Sequence, residues 1–192
     1  MVRPTIRKSM RRRERTGDWG VRFVTFSCQR RLPLFSNPRV ADEMVTALVR
    51  TRKRYGMELF AWVVMPEHVH LLVRPQDAMR LADPLRFMKQ SVAGRVLERW
   101  REINAPILAR LRVRDGHRFW QKGGGFDRNV RDDAEFSREV RYVHNNPVER
   151  ALVTRPEDWT WSSVRWWMGE REGEVECDPP PGKGWDTWTG FR

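Results

Sequence analysis

Residues 57–74 read MELFAWVVMPEHVHLLVR, two runs of β-branched and aromatic residues joined at a proline. Such runs favour extended structure and the proline favours a turn, so the stretch predicts a hairpin of two strands, Met57–Met65 and His68–Arg74. On the second strand His68 and His70 are two residues apart, so their side chains project from the same face of the sheet. The hairpin therefore predicts both the start of a sheet and a pair of neighbouring imidazoles.

Outside the hairpin, the spacing of hydrophobic residues alternates between the periods of strands and of helices. The order strand–helix–strand–strand–helix–strand is that of the ferredoxin-like split βαβ, which predicts an α+β fold with a central antiparallel sheet. The run Gly123–Gly125 interrupts the last strand, and Pro147 is expected to end the final helix at about Asn145. The other predicted elements are a strand at Val21–Cys28, a helix from Asn37-Pro38 to about Tyr55, a long helix at Leu81–Asn104, a strand or loop around Phe119–Val130, and the start of the final helix at Asp132 or Asp133.

Charge is unevenly distributed along the 192 residues, which carry a net charge of +12. Residues 1–22 hold eight Arg or Lys against two acidic residues, so residues 1–18 are expected to form a flexible basic arm. Residues 169–192 have an acidic excess and a proline-rich run, which predicts an irregular tail after a domain at residues 19–168. A chain this basic is typical of proteins that bind nucleic acid, although a basic surface also serves solubility or an anionic membrane surface.

Composition excludes several classes of protein. Charged residues make up 32% of the chain, and no uncharged apolar run approaches the roughly 18 residues that a membrane-spanning helix needs. Ten Trp and nine Phe supply apolar surface to bury, which argues against extended disorder. With two cysteines, Cys28 and Cys177, and no apolar N-terminal stretch for a signal peptide, we expect a reduced, cytoplasmic protein without membrane contact.

Two sets of residues are candidates for chemistry. The imidazoles of His68 and His70 can share one divalent ion, although a pair of surface histidines without function has the same spacing. Tyr142 lies on the final helix with Asn146 one turn further on, so a hydroxyl and a carboxamide can face one site; packing alone also explains a helical tyrosine. Tyrosine is a poor nucleophile unless a cation on the scissile phosphate lowers the barrier, so these features together fit cleavage of a nucleic-acid strand.

Four blocks of the sequence carry a resemblance to a known family: PEHVHLLV at 66–73, FWQKGGGFDRN at 119–129, YVHNNPV at 142–148 and PEDWTWSS at 156–163. In this order they resemble the IS200-like, single-tyrosine HUH transposases, and among these the REP-associated tyrosine transposases. The resemblance covers the chain from about Trp19 to Trp167 and leaves out the basic arm and the acidic tail.

The resemblance implies an enzyme that cleaves and rejoins single-stranded or hairpin DNA. His68 and His70 fall on the metal-binding histidines, and Tyr142 falls on the nucleophile that forms a 5′-phosphotyrosine link and frees a 3′-hydroxyl. Asn146 stands where the family has a polar third ligand, usually glutamine in insertion-sequence relatives. The implied cofactor is Mg²⁺ or Mn²⁺. No nucleotide cofactor is expected, because the phosphotyrosine conserves the bond energy, and relatives act as monomers or as homodimers with exchanged tyrosines.

Basic side chains indicate where DNA can bind, although ordinary solvated charge explains each of them as well. The residues predicted to contact DNA are Arg11, Arg12 and Arg13 on the arm, and Lys89, Arg95 and Arg99 along one side of the long helix. Two other functions remain open from the sequence. One is a domesticated protein that binds DNA hairpins without cleaving them, and the other is an RNA-binding ferredoxin-like module in which the two histidines are incidental.

Overall fold

The chain folds into strands and helices in the order that the sequence predicts. The computed structural model describes residues 20–76, 81–123, 125–170, 173 and 175–181. In chain order the elements are β1 (Arg22–Ser27), α1 (Pro38–Tyr55), β2 (Glu58–Val64), β3 (His68–Arg74), α2 (Ala82–Glu102), α3 (Ile107–Leu111), β4 (Arg112–Val113), β5 (Gly116–His117), β6 (Phe126–Asn129), α4 (Asp133–Glu149) and α5 (Val164–Trp167). The predicted basic arm, with Arg11, Arg12 and Arg13, lies outside the described residues.

The central sheet has four strands in the order β2-β3-β1-β6, and each neighbouring pair is antiparallel. Buried residues of α1 and α2 pack on one face of this sheet, and those of α4 pack on the other. The short strands β4 and β5 form a separate hairpin. The structure thereby confirms the predicted α+β fold class with its split βαβ order, and α4 adds a third layer on the free face of the sheet.

Side chains of β3 alternate between the two layers. Val69 and Leu71 belong to the core under α1 and α2, whereas Leu72 belongs to the core under α4. His68 and His70 have the same parity as Leu72, so both imidazoles point toward α4, as the spacing predicts. The position of the histidine pair in the fold follows from this two-residue period.

Local sequence signals explain where the long helices begin and end. The side chain of Asn37 accepts a hydrogen bond from the Arg39 amide at 3.1 Å, which caps the first turn of α1, and Gly56 ends this helix in a left-handed conformation with φ 59°. Asp132 caps α4 in the same way through the Glu135 amide at 2.7 Å. Within the described residues, no helix combines the length and the apolarity needed to cross a bilayer.

The prediction that Pro147 ends the last helix was wrong. Helix α4 continues through this proline to Glu149. Pro147 removes one helical hydrogen bond, the one that an N–H group at this position would donate to the Val143 carbonyl. The Arg150 amide donates to the Asn146 carbonyl at 3.1 Å, and the Leu152 amide donates to the Pro147 carbonyl at 2.9 Å, so the end of the helix is closed around a buried proline ring.

The predicted strand around Phe119–Val130 consists of two pieces separated by a loop. Trp120 forms an isolated bridge with Cys28, and regular pairing with β1 resumes only at β6. Between them, Gly125 has φ 85° and lies so close to β1 that a Cβ atom there would stand 2.2 Å from the Thr25 carbonyl oxygen. A glycine is therefore required where the chain re-enters the sheet.

The described part of the acidic tail has no helix or strand but is not free in solvent. Val175 and Cys177 are buried in the core under α1. The Asp178 amide donates to the Leu59 carbonyl at 2.7 Å, and its carboxylate accepts from the Leu59 amide at 2.7 Å. Residues 175–178 therefore cover part of the exposed edge of β2.

The contact of Gly125 with β1 predicts that substitution of this glycine destabilises the fold more than substitution of Gly123 in the same loop. Gly123 also has a positive φ, 108°, but no atom lies within 4 Å of a Cβ built there. We expect Gly125→Ala to lower the free energy of unfolding by about 1–3 kcal/mol more than Gly123→Ala, because only the first variant adds a clash to the backbone strain. Urea unfolding followed by tryptophan fluorescence measures both, and equal losses would contradict the contact.

Candidate active site

A cavity of about 690 Å³ lies between the sheet and α4. The two histidines, the tyrosine and the asparagine singled out in the sequence as candidates for chemistry come together here. Side chains from both layers face it, among them Thr25, His68 and His70 from the sheet, and Arg138, Tyr142 and Asn146 from α4.

His68 and His70 stand side by side in the floor of the cavity. They are 5% and 4% exposed, and their Nε2 atoms are 2.8 Å apart. Nδ1 of His70 lies 2.7 Å from the hydroxyl of Thr25, its neighbour across β1 and β3. Burial lowers the pKa of His68 and, with smaller effects of His68 and Arg31, lowers the pKa of His70 to about 3. Both imidazoles are therefore neutral near pH 7 and have lone pairs to offer.

A buried carboxylate that sequence reasoning missed supports this pair. Oε1 of Glu67 lies 3.2 Å from Nδ1 of His68 and 3.0 Å from a guanidinium nitrogen of each of Arg31 and Arg150. Burial acts to raise the pKa of the Glu67 carboxyl, but His68, Arg150 and Arg31 outweigh it and hold that pKa below its usual range. A carboxylate on the outer nitrogen of a histidine orients the ring and raises its basicity. The signal for it was present, since Glu67 precedes the histidine motif directly.

Tyr142 and Asn146 face the cavity from one side of α4. The centroid of the Tyr142 ring lies 5.3 Å from that of His70 and 5.8 Å from that of Phe23, and the side chain is 41% exposed. Asn146, one turn later, is 5% exposed, and among the described residues its Oδ1 has no hydrogen-bond partner. Their common face depends on the continuation of α4 through Pro147.

The residues present fit a divalent cation. Two neutral imidazoles present adjacent Nε2 atoms, and a buried carboxamide oxygen without a partner costs free energy unless something binds it. Nitrogen and oxygen donors together suit Mn²⁺ and Mg²⁺ near a phosphate. In the part of the chain that the structure describes, no three His, Cys, Asp or Glu side chains form a ligand cluster, so the candidate set is His68, His70 and Asn146.

The structure does not bring Lys89, Arg95 or Arg99 to the cavity. Lys89 is half-buried, and its Nζ lies 5.4 Å from the ring centroid of Phe26, in the core beneath α2; burial lowers its pKa. The two arginines are exposed and form ion pairs, Arg95 with Glu43 at 3.3 Å and Arg99 with Glu102 at 3.0 Å. Contact of these three residues with DNA stays a prediction.

Other cations line the cavity instead, and sequence reasoning missed them. They are Arg31, Arg128, Arg138 and Arg150. Arg138 precedes Tyr142 by one turn, so its helical spacing was a usable signal. Arg31 and Arg128 reach the cavity from a loop and an edge strand, and no periodicity connects these to the tyrosine.

The antiparallel sheet and the histidine pair that faces a helical tyrosine agree with what the resemblance to single-tyrosine HUH transposases leads us to expect. The model of the family described as "Transposase IS200 like" matches residues 20–146, and the chain belongs to that family. Members of this family are enzymes that cleave and rejoin DNA.

Two relatives and one solved structure illustrate the similarity. A protein of Haemophilus influenzae assigned as a REP-associated tyrosine transposase is 26% identical over 149 residues, which cover 75% of this chain and 79% of the relative. The REP-associated tyrosine transposase of Escherichia coli K12 is 24% identical over 120 residues, or 61% of this chain and 60% of that protein. The structure of a REP-associated tyrosine transposase bound to a REP hairpin has the same fold, with a TM-score of 0.62, 19% identity, and coverage of 91% of this chain and 93% of the other.

The ion pairs of Glu67 predict a cost for removing its charge. In Glu67→Gln the two arginines lose their shared counter-charge in a buried position, so we expect the free energy of unfolding to fall by about 1–3 kcal/mol. Glu58→Gln is the matched control, because Glu58 pairs with Arg74 near the surface of the same sheet, where an ion pair contributes about 1 kcal/mol or less. Urea unfolding of both variants checks the difference, and equal effects would show that Glu67 is not a special site.

Proposed function

We propose that this protein cleaves and rejoins single-stranded or hairpin DNA through a covalent phosphotyrosine on Tyr142, with a divalent cation held by His68, His70 and Asn146. The observation that carries the proposal is the exposed Tyr142 ring 5.3 Å from the His70 ring, across a cavity lined by arginines. A nucleophile beside neutral metal ligands and phosphate-binding cations is the constellation that strand cleavage needs.

The reaction that this geometry supports is an exchange of phosphate esters. The Tyr142 hydroxyl gives its proton to water, and its oxygen forms a bond to phosphorus while the bond from phosphorus to the 3′ oxygen breaks. The leaving oxygen takes up a proton and becomes the 3′-hydroxyl of the upstream fragment, and the downstream fragment stays on the tyrosine through its 5′-phosphate. Later attack by a 3′-hydroxyl reverses these steps and frees Tyr142. A bound Mg²⁺ or Mn²⁺ would neutralise and orient the scissile phosphate.

The residues around the nucleophile have separate tasks in this proposal. The Thr25 hydroxyl lies 2.7 Å from Nδ1 of His70 and the Glu67 carboxylate lies 3.2 Å from Nδ1 of His68, so Nε2 of each ring is directed into the cavity. Arg138 has no ion pair within the described part of the chain, and it stands one turn from Tyr142 on the same helix face, so it is suited to binding a phosphate of the strand. The protein then contributes position and charge to the reaction, with no nucleotide cofactor.

A DNA hairpin with a single-stranded flank is the proposed substrate. The net charge of +12 suits a polyanion, and the relatives named above are REP-associated transposases, one of them bound to a REP hairpin. Tyr142 and the histidine pair come from the same chain, so a monomer holds a complete candidate site. A homodimer with exchanged α4 helices remains the alternative.

The first test is covalent capture of DNA. The protein is incubated with Mn²⁺ and a labelled hairpin library with randomised stems and flanks, and adducts that resist SDS are measured. We expect an adduct that falls at least 100-fold in Tyr142→Phe, because phenylalanine has no nucleophilic oxygen. The control is Tyr55→Phe, which changes the other tyrosine of the chain, on α1 against Phe87.

The outcome separates the proposed enzyme from a binding protein. An adduct that persists in Tyr142→Phe would contradict the assignment of the nucleophile. Retention of the hairpin library without an adduct from any variant would replace the enzyme with a DNA-hairpin-binding protein.

The second test concerns the metal ligands. Mn²⁺ titration calorimetry should show binding to the parent protein and none to His70→Ala. We expect Asn146→Ala to weaken binding at least about tenfold, or ~1.4 kcal/mol, because the carboxamide oxygen is lost as a ligand. The neighbouring half-buried Asn145 gives the matched control, and Asn145→Ala should bind like the parent. Equal affinity for both asparagine variants would remove Asn146 from the ligand set.

A further inference from the structure

The cavity exposes an aromatic ring besides that of Tyr142. Across the part of the chain that the structure describes, the aromatic side chains are buried or half-buried except for two, Phe126 at 55% and Tyr142 at 41% exposure. Both of these rings line the cavity. A single exposed phenylalanine is common on protein surfaces, but its confinement to the cavity of the candidate nucleophile is not explained by packing.

The backbone of β6 directs Phe126 into the cavity. On this strand Phe126 and Arg128 face the cavity, while Asp127 between them points the other way and accepts two hydrogen bonds from Arg22 at 2.8 and 2.6 Å. Gly125, pressed against the Thr25 carbonyl, fixes where β6 begins. The position of the Phe126 ring is thus set by the sheet and not by a flexible loop.

Neighbouring rings connect Phe126 with the histidine pair. Its ring meets Phe23 edge-on at a centroid distance of 6.4 Å, and the Phe23 ring stacks on His70 at 5.5 Å. The Arg128 guanidinium lies over the Phe23 ring, 5.3 Å from its centroid, and ion pairs with Glu135 and Glu139 hold it there. An aromatic surface beside cations is the arrangement with which proteins bind single-stranded DNA.

We propose that Phe126 is the stacking platform for an unpaired nucleobase next to the scissile phosphate. The inference rests on the proposed function and adds a binding site for the base to it. Because a phenylalanine ring has no hydrogen-bonding group, the platform accepts any of the four bases. The platform instead distinguishes single-stranded from double-stranded DNA, because a base within a duplex stem has both faces covered by its neighbours. Phe126 would therefore direct the single-stranded flank, and not the stem, to Tyr142.

The test uses Tyr142→Phe as the parent background, so that binding is measured without cleavage. A hairpin captured by the wild-type protein supplies two probes, the stem with its single-stranded flank and the stem alone, and fluorescence anisotropy gives the affinity for each. We expect Phe126→Leu to weaken binding of the flanked hairpin about 5- to 150-fold, corresponding to ~1–3 kcal/mol per stacked base, and to leave binding of the stem within about twofold. Phe126→Trp should retain the affinity.

A spectroscopic readout and a control variant distinguish stacking from lost structure. 2-Aminopurine in the flank should be quenched by the parent and by Phe126→Trp, but not by Phe126→Leu. Leu152→Ala is the control, because it removes an exposed apolar side chain, 41% exposed, that lies outside the cavity. This variant should leave the affinity for both probes unchanged.

The possible outcomes separate this inference from the proposed function. Failure of the parent to bind any flanked hairpin would reject the proposed function itself. If the parent binds the flanked hairpin, two results would overturn the stacking platform and leave the proposed function standing. Phe126→Leu would either bind both probes with the affinity of the parent, or lose affinity for both probes by the same factor.

Discussion

The register between β1 and β3 is the constraint on which the rest of the candidate site depends. His68 pairs with Ser27 and His70 with Thr25, so the threonine hydroxyl meets the outer nitrogen of one imidazole while the two Nε2 atoms meet on the face toward α4. A slip by one residue would turn Val69 toward α4 and bury both imidazoles beneath α1 and α2. The hydrophobic alternation of β3 opposes such a slip because Val69 and Leu71 complete the core on that side. The same register of β3 therefore both completes the core and places the two imidazoles in the candidate site.

Two groups of ion pairs hold α4 over this sheet, one near each end of the helix. Close to its start, Arg128 of β6 pairs with Glu135 and Glu139. Just after its end, Arg150 pairs with Glu67, the carboxylate that also meets His68. Tyr142 lies between the two groups, so the sheet that carries the histidines also sets the position of the tyrosine. Arg150 follows directly on the last turn of α4, which is the structural consequence of continuing the helix through Pro147.

The sequence predicted features that depend on local periodicity and missed those that depend on distant partners. The β2–β3 hairpin, the common face of His68 and His70, and the i,i+4 relation of Tyr142 and Asn146 all follow from repeats of 2 and 3.6 residues, and the structure contains each of them. The proline rule failed at Pro147, because the helix loses only one hydrogen bond there and is closed beyond the proline by the Arg150 and Leu152 amides. The sequence did not predict that Arg31 and Arg128 line the cavity, because each belongs to a segment whose path depends on pairing with distant parts of the chain. The charge of Lys89 predicts contact with DNA, but its position on α2 is governed by packing against Phe26 and Trp120.

The residues that line the cavity differ in exposure, and the difference matches what each of them is proposed to do. His68 and His70 are almost completely buried, with the Thr25 hydroxyl on the outer nitrogen of His70 and the Glu67 carboxylate beside that of His68, so both rings are held in position before any ligand binds. The groups that would touch DNA, Tyr142 and Phe126, keep 41% and 55% of their surface open. A metal site gains from rigidity, because misplaced ligands cost affinity, whereas a nucleophile and a stacking surface must leave room for the strand that they meet. The histidine pair is buried because α4 covers the free face of the sheet, and α4 is the layer that a two-helix ferredoxin-like fold lacks.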